Sequence, residues 1–126
     1  MVKVARKNTN ANIKKGDAVN IPFDDNSFDL VVCNASFHHY SNPQKVVKEI
    51  KRILKNEGVL ILGDSTSSSI VRYITNLFIR FSGGGDYKIY NQKEIEELLT
   101  SQGFVCKNFQ IIEKGKFCLN AYIKKP

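Results

Sequence analysis

Two short apolar runs, Phe28 to Ala35 (FDLVVCNA) and Val59 to Asp64 (VLILGD), bracket a segment whose apolar residues recur at helical spacing. Each run is nearly continuous and closes at a polar residue, Asn34 in the first and Asp64 in the second, as parallel strands covered on both faces do. Between them, Asn42 is placed to cap a helix and Pro43 presets its first turn, while Val46, Val47, Ile50, Ile53 and Leu54 form one stripe. Asn56-Glu57-Gly58 breaks the pattern before the second run. Strand, amphipathic helix and strand at this spacing make a parallel crossover, right-handed by the twist of its strands. The fold class is α/β.

The remaining segments attach to that unit. Ser65 to Ser69 read as a polar loop and cap, after which Ile70, Val71, Ile74, Leu77, Phe78 and Phe81 give a wide apolar helix face opposite Arg72 and Arg80. This face, with Tyr73, is expected to pack into the core. Gly83-Gly84-Gly85 breaks the chain, and Asn91 with Glu94 forms a capping box for a helix presenting Ile95, Leu98 and Leu99 and ending at Gly103. Residues 104–113 and 116–124 read as an antiparallel hairpin turning at Lys114-Gly115. Upstream, residues 2–8 resemble a helix tail, and ANIKKGD reads as a short strand entering an acidic turn at Asp17. With 126 residues and 42% hydrophobic content, residues 1–126 form a single domain.

Charge and composition narrow the function. The 19 basic and 12 acidic residues give a formal charge of +7, but the lysines are scattered, which fits a solvated surface better than a nucleic-acid site. Cys33, Cys106 and Cys118 are widely spaced within apolar runs and read as reduced, buried thiols. His38 and His39 are the only histidines, so no metal site of familiar spacing is expected. No run reaches the ~20 apolar residues of a membrane span, and the N-terminus lacks the apolar stretch of a signal peptide. The expected location is cytoplasmic.

In open α/β sheets, ligands bind beyond the carboxyl ends of the parallel strands, which here are expected at Asp17, Asn34 and Asp64. A carboxylate at Asp17 accepts from an exocyclic amine, and the backbone N–H of Ala18 donates to a ring nitrogen; together they suit an adenine edge. His38 or His39 is a weak candidate for a catalytic base, the other ring packing or facing solvent.

The order GDAVNIPFDDNSFDLVVCNASFHHYSNPQKVVKEIKRILKNEGVLILGD resembles the middle and later part of class I S-adenosylmethionine-dependent methyltransferases of the methyltransferase 11 type. Its landmarks are Gly-Asp-Ala, Ile-Pro-Phe, Ser-Phe-Asp, the His-His loop and the Asn-Pro helix start; Asn56-Glu57-Gly58 stands where the family has Pro-Gly-Gly. The resemblance implies a partial Rossmann-like sheet, with parallel strands, a C-terminal antiparallel hairpin and helices on both faces. It implies S-adenosylmethionine as cofactor, with Asp17 on the adenine amine, Ala18 on the adenine ring, and Asn34, Ala35 and Phe37 near the methionine portion. The family's Gly-x-Gly-x-Gly loop does not occur in these residues, so weak or no cofactor binding and no turnover are expected of this chain alone, as the later part of a longer or split enzyme. The methyl acceptor is an unknown small molecule. The expected partner is a second copy at an exposed sheet edge, or a complementing N-terminal segment. A noncatalytic interaction module is the alternative function, followed by a basic RNA-binding domain.

Overall fold

In the computed structural model, which describes Lys7 and residues 9–66, 69–82, 88–113 and 115–123, four strands form one sheet. They are β1 (Phe28–Asn34), β2 (Leu54–Ser65), β3 (Phe104–Glu113) and β4 (Lys116–Ile123), in the order β1-β2-β4-β3. β1 and β2 run parallel, and β4 is antiparallel to both of its neighbours. The helices are α1 (Pro43–Ile53), α2 (Ser69–Ser82) and α3 (Gln92–Ser101).

The expected crossover is β1-α1-β2. Asn42 Oδ1 accepts from the Lys45 N–H at 3.2 Å, Pro43 opens the helix, and Val46, Val47, Ile50 and Ile53 are buried. At α3 the capping box closes in both directions, Glu94 N–H to Asn91 Oδ1 at 2.8 Å and Asn91 N–H to Glu94 Oε2 at 3.0 Å. That helix ends at Gly103, whose φ of +89° suits a residue without Cβ. Lys51 Nζ from α1 then donates to the Gln102 carbonyl at 2.9 Å, tying the two helix ends together.

Side-chain alternation gives the sheet two unlike faces. In one set, Cys33, Leu62 and Leu119 stand in register, as do Val31, Leu60 and Ala121. These residues meet the buried faces of α1 and α3, and Phe37, Phe104 and Phe117 complete the core. The opposite set runs Leu30, Val59, Tyr122 and then Val32, Ile61, Asn120. That face is open toward β1, where Leu30 is 50% and Val32 61% exposed.

Four sequence expectations need correction. Residues 11–16 form no strand; the acidic turn holds only an isolated bridge between Asp17 and Asn20. Asn56-Glu57-Gly58 does not end an element: pairing jumps from Phe28 with Leu54 to Leu30 with Val59, so residues 55–58 bulge from a strand already begun at Leu54. The apolar face of α2 is not core, because Ile70, Tyr73, Phe78 and Phe81 are exposed. Only Cys33 of the three free thiols is buried, Cys106 and Cys118 being half-buried in the hairpin. Apart from Lys7, the expected helix tail over residues 2–8 lies outside the described residues, as do the triple glycine and the Lys114 part of the hairpin turn.

Candidate functional site

The carboxyl ends of β1 and β2 lie side by side. Asn34 closes β1, and the chain turns at Ala35 with a φ of +51°, held by its N–H donating to the Gly63 carbonyl at 2.9 Å. Gly63 gives the Asn34 side chain its place, because a Cβ there would come 3.0 Å from Asn34 Oδ1. A left-handed backbone costs a residue with a Cβ about 1–2 kcal/mol, and strain of this kind collects at ligand sites. Ala35→Gly should therefore stabilise the fold by about 0.5–1 kcal/mol in urea unfolding, glycine's added unfolded-state entropy offsetting part of the relief. A destabilised variant would show that the Ala35 methyl contributes more by packing than it costs in strain.

Beyond these strand ends lies a pocket of about 200 Å3, with Asn34, Ala35, Asp64 and Ser65 on one side and Ile112, Lys116 and Phe117 of the hairpin on the other. This is smaller than the ~300 Å3 at the low end of small-molecule sites. Two wider depressions lie away from it, one around Asn26, Asp29 and Lys55 at the amino end of β1, the other around Glu96, Phe104 and Cys106. The strand-end rule favours the smaller one.

Asp64 organises that end of the sheet. Its side chain is 3% exposed and accepts three hydrogen bonds: the His38 N–H at 2.8 Å, the Ser65 N–H at 2.7 Å, and His38 Nδ1 at 2.5 Å. The carboxylate requires Nδ1 of a neutral His38 to carry the proton, which makes Nε2 the basic nitrogen. His38 and His39 thus separate: the first is held and mostly buried, while the second is exposed with its ring centroid 4.0 Å from the first. Phe37 between them and Ala35 is 1% exposed and packs edge-on to Tyr40 and Tyr90, so it backs the loop from the core. Nearby, Cys33 Sγ lies 3.3 Å from Ser36 Oγ, and burial pushes its thiol up, leaving it a packing group.

Asp17 is exposed and turns inward on its own loop, accepting from the Val19 N–H at Oδ1 (3.1 Å) and from the Asn20 N–H at its carbonyl (2.9 Å). Ala18 packs partly against the core. The segment following them is clamped to α1. Glu49 Oε2 accepts the Ile21 N–H at 2.9 Å, and Arg52 donates to the carbonyls of Ile21 and Phe23 and to Asp25. Hydrogen bonds from Arg52 hold the Glu49 carboxyl below its usual range. Sequence reasoning missed this clamp; its signal was the Glu49-x-x-Arg52 spacing on the polar side of α1. Asp64 was expected at one of the ligand-facing strand ends, but its hold on the His38 loop has no local signal in the sequence.

Among the described residues, no group of three metal-ligating side chains occurs and no helix is long and apolar enough to cross a membrane. Residues 1–62 match the family model described as Methyltransferase domain. The methyltransferase YcgJ of Bacillus subtilis is 40% identical over 55 residues, 44% of this chain and 22% of that protein. Its crystal structure superposes on all of this chain and 79% of its own with a TM-score of 0.79 at 17% identity. The demethylmenaquinone methyltransferase of Thermotoga maritima is 27% identical over 110 residues, 71% of this chain and 48% of that one. A Haloferax volcanii methyltransferase solved with the Trm112 methyltransferase activator superposes with a TM-score of 0.83 at 19% identity, over 100% of this chain and 68% of that one. The chain thus spans half or less of the length of these two curated relatives. On the sequence of residues 1–62 and the topology of the sheet, it carries the methyltransferase-domain family pattern and has the class I S-adenosylmethionine-dependent methyltransferase fold.

Proposed function

We propose that the chain supplies the later part of an S-adenosylmethionine-dependent methyl-transfer site acting on a small-molecule acceptor. The observation that carries the reading is the strained Ala35 turn, set beside Gly63 and opening into the pocket at the paired strand ends. S-adenosylmethionine, when bound, supplies a methyl group on a sulfonium that is already a strong electrophile. The residues present fit part of such a ligand. Asp17 would take the adenine amine and the Ala18 N–H the adenine ring, while the amide of Asn34 and the turned backbone of Ala35 would face the methionine portion. The Glu49 and Arg52 clamp keeps the first pair from drifting relative to the second. His38, oriented by Asp64, is the group suited to take a proton from an acceptor hydroxyl or amine, and Phe37 holds its loop from behind.

Contacts from so few residues predict weak affinity, with a Kd of about 1 mM or higher. The test is titration of the isotopically labelled protein with S-adenosylmethionine to several millimolar, followed by amide NMR. Shifts should concentrate at Ala18, Asn34 and Ala35 and shrink in Asp17→Ala. Uniformly unmoved amides, or shifts confined to the depression near Lys55, would sink the assignment.

The open edge supports a second reading, an interaction module. β1 is a sheet edge whose described residues include no proline or lysine, and beside it stands an apolar face. We take the occupant of that edge to be a second copy of the chain, with a complementing segment of a methyltransferase fold as the competing occupant.

A further inference from the structure

α2 is amphipathic in the inverted sense. Ile70, Tyr73, Ile74, Leu77, Phe78 and Phe81 fall within one arc of about 140° at helical spacing, and their exposures run from 49% to 83%. The other side meets the protein through a polar residue: the Asn76 side chain accepts the Ile89 N–H at 2.8 Å and donates to the Ile89 carbonyl at 3.1 Å. A surface helix normally turns its apolar stripe inward, because each large apolar side chain left in water forfeits burial energy. Here six such residues, three of them aromatic, face outward on one short element.

Charge selects the occupant. Residues 69–82 contain no Asp or Glu and include Arg72 and Arg80, on a chain of net charge +7. That favours an anionic surface and disfavours a second, equally basic copy packed helix to helix. Length agrees, because 14 residues span about 21 Å, too short to cross a hydrocarbon core of about 30 Å but sufficient to lie along its surface. Outward aromatic and aliphatic side chains on a helix without acidic residues match the composition of helices that lie in the interface plane. We propose that α2 is an in-plane membrane-docking helix that binds anionic phospholipid bilayers through the Ile70–Phe81 face. The proposal goes beyond methyl transfer and is independent of it.

The test is co-sedimentation of the protein with vesicles of phosphatidylcholine alone and of phosphatidylcholine with 30% phosphatidylglycerol. The native chain should partition onto the anionic vesicles, weaken as salt rises, and bind the neutral ones at least about tenfold less. Phe78→Ser with Phe81→Ser should lower partitioning to the anionic vesicles at least about tenfold, since both buried side chains are lost. Both positions are exposed, so an unchanged circular dichroism spectrum and melting temperature are expected and serve as the folding control. No binding to either vesicle overturns the proposal. Equal binding by the double variant also overturns it, because adsorption would then rest on scattered lysines. If sedimentation velocity without lipid shows a dimer that the double variant abolishes, a second copy covers the face and the proposal fails.

Discussion

Sedimentation equilibrium at low micromolar concentration is expected to give a particle of twice 14.3 kDa, and Val32→Lys or Leu30→Lys to return it to the monomer mass. Among the described residues β1 pairs with β2 on one side only, so its other side presents a row of backbone donors and acceptors. The single charge in Phe28–Asn34 is Asp29, which pairs with Lys55 at 3.2 Å. If two copies meet antiparallel about a two-fold axis at Val31, Leu30 of one copy stands opposite Val32 of the other. Both contacts lie on the open face, and the sheet continues through the axis to eight strands. A symmetric interface counts each substitution twice, so a loss of about 1 kcal/mol per site becomes about 2 kcal/mol per dimer, roughly a thirtyfold weaker association. At positions already 50% and 61% exposed, lysine leaves the monomer fold intact. A single well-folded species of 14.3 kDa in the native protein would mean that the edge is closed from within the chain.

Which elements were legible in the sequence follows from where the determining forces act. α1 and α3 announce themselves because their caps are local: Asn42 before Pro43, and Asn91 three residues before Glu94, each satisfy donors within one turn. The hairpin and the two parallel strands are legible because alternation and continuous burial operate over a few residues. α2 was placed correctly as a helix but wrongly as core, since periodicity reports an apolar face without saying what lies against it. The strand expected before Asp17 failed for the same reason. A tetrapeptide such as Asn12 to Lys15 becomes a strand only if a neighbour pairs with it, and none of the described strands does.

The site divides along similar lines. Asn34 and Asp64 were legible as strand ends because each closes a nearly continuous apolar run. The left-handed turn at Ala35 left no trace, because neither Gly nor Asn occupies the position. Nor do the bonds from His38 to Asp64, or the Arg52 clamp onto Ile21 and Phe23, follow from any local spacing; both join segments separated by more than twenty residues.

Asp64→Ala is expected to be among the most damaging single substitutions in the chain, costing about 3–5 kcal/mol in urea unfolding. The carboxylate is nearly sealed from water and is the shared acceptor of two backbone N–H groups and a ring nitrogen. Truncation strands all three donors at once, and water entering from the pocket at the strand ends replaces the lost charged acceptor only in part. Against a total stability of about 5–15 kcal/mol for a domain of this size, such a loss brings the variant near its unfolding threshold at room temperature. Asp64→Asn should cost less, because one amide oxygen still accepts while its NH2 faces a donor. His38→Ala should cost least of the three, since the carboxylate keeps both backbone donors. The double variant His38→Ala with Asp64→Ala should then recover part of the sum, the coupling reporting the ring contact alone. An Asp64→Ala protein within about 1 kcal/mol of native would show that the strand ends are held by the sheet itself and that Asp64 is present to orient His38.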